Sequence, residues 1–125
     1  MSQKNKKQFG VWMDSHHATV VGRENPGTLD FSVLRHFKNP AAESNSNEKT
    51  AHNAEKTLQA KFFKEITSLM QNAEEVHITG TGTSQEQFMR YMEETPQFKN
   101  TVTKESTSNK MSDEKLATYI AAKFN

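Results

Sequence analysis

The sequence predicts an α/β domain built on a mixed five-stranded sheet with three helices. Two short β-prone runs open the chain, apolar residues at helical spacing follow from about Glu55, and a strand, a glycine turn and a capped helix come next. With 125 residues, one hydrophobic core and one domain are expected. Only 33% of the residues are apolar against 25% charged, so that core depends on apolar residues gathered into a few patterned segments.

Residues 1–8 form a flexible basic tail in this reading, and residues 9–125 the domain. From Phe9 to Val21 two β-prone runs flank the polar stretch Asp14-Ser15-His16-His17, which reads as a hairpin. Pro26-Gly27 marks a turn. Leu29, Phe31, Val33, Arg35 and Phe37 then alternate as a third strand continuing the meander. Residues 39–54 hold Pro40, four asparagines, two serines and no large apolar side chain, so a mobile loop is expected there. Leu58, Phe62, Phe63, Ile66, Leu69 and Met70 share one face of a long helix.

Glu75–Thr79 is a short strand that runs into Gly80-Thr81-Gly82. Thr83 and Glu86 have capping-box spacing, predicting a helix that carries Phe88, Met89 and Met92 inward and stops before Pro96. Phe98–Glu105 reads as a last strand, polar enough for a sheet edge. Ser112 caps a final helix whose Asp113 and Glu114 complement its dipole and whose Leu116, Ala117, Ile120, Ala121 and Phe124 form the buried stripe. Three strands followed by helix, strand, helix, strand, helix predict an antiparallel meander extended by crossover strands.

Charge and composition exclude several classes. Sixteen basic and fifteen acidic residues give a net +1, so polyanion binding would need a local patch. The absence of cysteine removes disulfides, thiolate nucleophiles and cysteine metal sites. The polar start, without a signal or membrane-spanning stretch, predicts a soluble cytoplasmic protein with no membrane partner.

Three segments carry a family resemblance: Val11-Trp12-Met13-Asp14-Ser15-His16-His17-Ala18, Ile78-Thr79-Gly80-Thr81-Gly82 with Phe88, and Lys110-Met111-Ser112-Asp113-Glu114-Lys115-Leu116. In order and spacing they resemble bacterial and archaeal translational-machinery proteins related to the middle domain of class-1 peptide-chain release factors and of Pelota. The resemblance implies a ribonuclease-H-like α/β fold. It also implies a Gly-Gly-Gln tripeptide on the loop before the first long helix, but residues 39–54 contain neither glycine nor glutamine, which argues against release-type hydrolysis. Relatives often read Gly-Pro-Gly followed by a lysine, whereas here Thr81 stands between the glycines and residues 85–87 read Gln-Glu-Gln.

The candidate sites each have a plainer reading. Gly80, Thr81, Gly82 and Thr83 could hold an anion at a helix start, but without a P-loop lysine or a third glycine the favoured reading is a tight turn, and no cofactor is expected. Asp14 stands where ribonuclease-H-like nucleases place a metal-binding carboxylate. Glu55 and Glu65 offer it no clear partner, so a turn residue is favoured and no metal is expected. His16, His17, His36, His52 and His77 lack ligand spacing. Lys4, Lys6 and Lys7, with Lys49 and Lys56 beside the loop, could touch phosphates if tail and loop share a side. The leading expectation is a non-enzymatic binding or adaptor domain contacting the ribosome, rRNA or tRNA. The alternatives are a metal-dependent nuclease or other hydrolase using Asp14, and a homo-oligomer formed through a sheet edge or helix face.

Overall fold

The computed structural model describes residues 7–14, 16–22, 31–38 and 48–124, with the side chains of the first helix described from Leu58 onward. The hairpin forms as predicted: β1 (Gln8–Met13) pairs antiparallel with β2 (His17–Gly22), and β2 pairs antiparallel with β3 (Ser32–Lys38). Helix α1 (Glu48–Ser68) leads to β4 (Glu75–Gly80), which lies parallel to β1 with Met13 opposite Gly80. Helix α2 (Thr83–Glu93), a 3₁₀ turn over Pro96–Phe98, β5 (Val102–Thr107) parallel to β4, and α3 (Asp113–Phe124) follow. The strand order is β3-β2-β1-β4-β5, the mixed five-stranded sheet of meander and crossover strands that the sequence predicts.

Side-chain alternation gives the sheet two apolar faces. Phe9, Val11, Met13, Val76 and Ile78 meet Phe62, Phe63, Ile66 and Met70 of α1 and Phe88 and Met92 of α2. On the other face Trp12 and Val21 pack against Leu116 and Ile120 of α3. Helix α3 approaches the sheet closely because Gly10 lies beneath it: a Cβ there would stand 2.5 Å from Ile120 side-chain atoms. Ser112 caps α3, accepting the Lys115 N–H on Oγ at 3.2 Å and the Leu116 N–H on its carbonyl at 2.9 Å.

Several expectations change. The Leu29–Phe37 alternation does not keep one face, because the β2–β3 register shifts between Val20 and Val21. Phe31 and Val33 therefore join the α3 side, while Leu34 and Phe37 join the other core. Residues 23–30, with Leu29, lie outside the described residues. Of the loop expected over 39–54, residues 48–54 are helical, since α1 begins at Glu48; a segment without large apolar residues can still contain good helix formers. Residues 39–47 lie outside the described residues. Gln8, expected in the tail over 1–8, belongs to β1, and residues 1–6 lie outside the described residues. Phe98 is not in the last strand: Pro96 opens a 3₁₀ turn that buries the ring, and β5 starts at Val102. The edge position of that strand is as expected.

Candidate functional site

Because β1, β4 and β5 run parallel, their carboxyl ends share one rim of the sheet, where open α/β sheets place ligand sites. Asp14 follows β1 on that rim. Its Oδ1 accepts the N–H groups of His16 at 2.8 Å and His17 at 2.7 Å, and its own N–H donates to the His17 carbonyl at 2.9 Å. The carboxylate thus closes the hairpin as an Asx turn. Among the described residues, no three His, Asp or Glu side chains stand close enough to share a metal ion.

The neighbouring Gly80–Thr83 turn is set by two different constraints. A Cβ at Gly80 would stand 2.0 Å from the Met13 carbonyl oxygen, so β1 and β4 approach too closely there for any side chain. Gly82 has open space around its Cβ position but a φ of 145°, a backbone state that glycine adopts without penalty. Gly82 is also the residue that caps α2, so Thr83 is the first helical residue and the predicted Thr83–Glu86 capping box does not form. Helix α2 instead turns Gln85 inward. It is 1% exposed, and its Nε2 donates to Glu105 Oε2 at 3.0 Å and to the Ser106 carbonyl at 2.7 Å. Gln85 Oε1 has no partner among the described residues. The spacing Gln85, Phe88, Met92 places this glutamine on the apolar stripe, a signal the sequence already contained.

A second polar cluster, missed at the sequence level, lies on the α3 side of β4 and β5. Ser106 Oγ stands 2.8 Å from His77 Nε2, 2.8 Å from Tyr119 Oη and 3.0 Å from Thr79 Oγ1, to which it donates. Thr79 Oγ1 is 2.7 Å from Ser108 Oγ, and Trp12 Nε1 donates to the Ser108 carbonyl at 3.3 Å. A hydroxyl has one proton and two lone pairs. With the Ser106 proton given to Thr79, both His77 Nε2–H and Tyr119 O–H donate to Ser106, which assigns the His77 tautomer. Burial, followed by the charges of Lys123 and Lys104, holds His77 below its usual pKa and therefore neutral. Burial pushes Tyr119 up, but the Ser106 and Thr79 hydroxyls and the Lys123 ammonium outweigh it, so its pKa falls below the usual tyrosine range.

Lys4 and Lys6 lie outside the described residues. The Lys7 carbonyl accepts the N–H groups of Glu74 at 2.8 Å and Glu75 at 3.2 Å, at the end of the sheet where β1 and β4 begin. Helix α1 finishes shortly before this point, whereas Lys49 lies about 28 Å and Lys56 about 18 Å back along its axis from Ser68. Lys7 and Lys49 thus sit by opposite ends of α1. Among the described residues the sheet edges are β3 and β5, and the first two strands are paired on both sides. No helix among the described residues is long and apolar enough to cross a membrane.

The architecture is that of an α/β domain also found in solved translation-factor structures. An archaeal translation termination factor matches over 95% of this chain with a TM-score of 0.58 and 14% identity. The Thermoplasma acidophilum Pelota protein matches over 95% with a TM-score of 0.59 and 17% identity, and a ribosome-bound archaeal Pelota over 92% with 0.56 and 16%. This chain spans about a third of each of them, at 35%, 33% and 31% of their lengths. At these identities the likeness is one of fold. No protein-family model and no curated protein matches the sequence.

Proposed function

We propose that the chain is a non-enzymatic binding or adaptor domain of the translation machinery, cytoplasmic, and acting through contact with the ribosome, its rRNA or tRNA. One observation carries this reading: nearly the whole chain superposes on one region of proteins described as a translation termination factor and as Pelota, one of them ribosome-bound. The sequence supports an adaptor over a release enzyme, since residues 39–54 contain neither glycine nor glutamine. Sucrose-gradient co-sedimentation with ribosomes at low salt tests it. The chain is expected in the ribosomal fractions and is expected to leave them as salt rises. Its absence from every ribosomal fraction at low salt would overturn the proposal.

A further inference from the structure

Strand β5 ends one side of the sheet, and only its inner edge is used among the described residues. Val102 N–H donates to the Glu74 carbonyl at 2.9 Å and Ser108 N–H to the Gly80 carbonyl at 2.8 Å, so the even-numbered residues of the strand turn their backbone groups toward β4. Thr103, Glu105 and Thr107 alternate with them and turn both N–H and C=O outward, where no described backbone pairs with them. The one exposed large apolar side chain among the described residues, Val102 at 49%, begins this strand. An open row of donors and acceptors is a template for another extended chain.

Two surface depressions flank the amino end of this edge. One, of about 520 Å³, lies between the end of α2, the 3₁₀ turn and Thr103; the other, of about 490 Å³, lies between the turn before β4 and Val102. Pro96, Lys99 and Thr101 border both, so the two adjoin. Charge here departs from the near-neutrality of the chain. Glu93 and Glu94 line the first depression, Glu74 and Glu75 the second, and Glu105 lies on the strand itself, against Lys99 and Lys104. None of these carboxylates forms an ion pair among the described residues; Glu75 accepts a hydrogen bond from Gln8 Nε2 and Glu105 one from Gln85 Nε2. An extended chain carrying cations answers both features, the open backbone and the surplus of negative charge.

We propose that the open edge of β5 takes an extended, lysine- or arginine-rich segment of a partner protein as a sixth strand of the five-stranded sheet. Its main chain pairs with Thr103, Glu105 and Thr107, and its cations enter the depression beside Glu93 and Glu94. A second copy of this chain fits the edge poorly. Two-fold antiparallel pairing of β5 with itself, centred on Lys104 or Glu105, sets like charges opposite each other, and any other two-fold register pairs at most half of the strand. It also brings up a second set of the same carboxylates. The partner's chemistry follows from the edge alone and does not depend on the translation reading.

The test is fluorescence anisotropy of a labelled peptide alternating lysine with valine, set against one alternating glutamate with valine. It is run on the full chain and on Thr103→Pro, Thr103→Val, Glu93→Gln/Glu94→Gln and, as a control on α3, Glu114→Gln. The parent is expected to prefer the basic peptide. Thr103→Pro removes an outward N–H that β4 does not use and is expected to weaken binding about tenfold, whereas Thr103→Val keeps the N–H and is expected to bind within about twofold of the parent. Glu93→Gln/Glu94→Gln is expected to lose about three- to tenfold at low salt, with the difference shrinking as salt rises, and Glu114→Gln to bind like the parent. The proposal is overturned if the parent binds neither peptide or both alike, if Thr103→Val loses as much as Thr103→Pro, if Glu114→Gln loses as much as the double variant, or if either the folded Thr103→Pro or the double variant binds like the parent. Loss of the folded circular dichroism spectrum in Thr103→Pro leaves the decision to the double variant. A parent dimer in light scattering that Thr103→Pro splits would assign the edge to a second copy and overturn the proposal as well. Peptide binding without ribosomal sedimentation would sink the functional reading alone, and ribosomal sedimentation without peptide binding would sink the edge alone.

Discussion

Replacing Gly80 by alanine tests the geometry that joins the two halves of the sheet. The added methyl would stand 2.0 Å from the Met13 carbonyl oxygen, where ordinary contact begins at 3.4 Å, so backbone must yield by about 1.4 Å. Nothing there yields cheaply. Met13 is held by Ala18 of β2 on one side and Gly80 of β4 on the other, and the same methyl would crowd Gln85 Oε1 at 2.9 Å. Overpacking typically costs about 1–3 kcal/mol, and a clash with paired backbone belongs at or above the top of that range, about 3 kcal/mol. At a typical urea dependence this moves the midpoint down by roughly 1–2 M. Trp12, the only tryptophan and 3% exposed, reports unfolding by fluorescence. A midpoint within about 0.3 M of the parent, with unchanged slope, would refute the argument. Gly82→Ala separates sterics from torsion: with open space around it, its cost comes from φ alone, about 1–3 kcal/mol.

Three further outcomes follow from the same structure. Asp14→Ala removes the acceptor for two backbone N–H groups and is expected to cost about 1–2 kcal/mol by urea denaturation; Asp14→Asn keeps an oxygen there and should cost less, and equal losses would contradict the Asx-turn role. Ile120→Ala empties a fully buried position between α3 and Gly10 and should cost about 2–5 kcal/mol, a loss below about 1 kcal/mol counting against the α3 packing. His77 titrates below its usual 6.5 when folded, so the unfolded chain binds more protons between the two values and stability rises with pH there. Its contribution is complete above about pH 6.5 and is lost as pH falls toward the folded value. The stability difference between the parent and His77→Gln should therefore shrink from pH 7.5 to about pH 5, and a constant difference would contradict the burial argument.

Much of the fold was legible because it is written in local patterns. Short β-prone runs marked β1, β2 and β4, helical spacing marked the buried face of α1, polar composition marked β5 as an edge, and Ser112 before two acids marked the start of α3. What escaped depends on contacts between segments. The bulge opposite Val20 and Val21 changes which residues of β3 face which core, and no property of β3 alone reveals it. The start of α1 was misjudged because missing apolar residues argue against burial, not against helix. At the candidate site, Asp14 was read correctly as a turn residue, and its two N–H donors are its immediate successors in the chain. The His77–Ser106–Tyr119 cluster could not be assembled from sequence, since it needs the β4–β5 register and the placement of α3 together. Gln85 was the nearest miss, a polar residue three positions before Phe88 on an otherwise apolar stripe.

Lysine-reactivity footprinting on the chain bound to ribosomes, read by mass spectrometry, tests the central claim most directly. The account predicts that a contiguous group of the exposed lysines loses reactivity on ribosome binding while the others keep theirs. Unchanged reactivity at every lysine would contradict it.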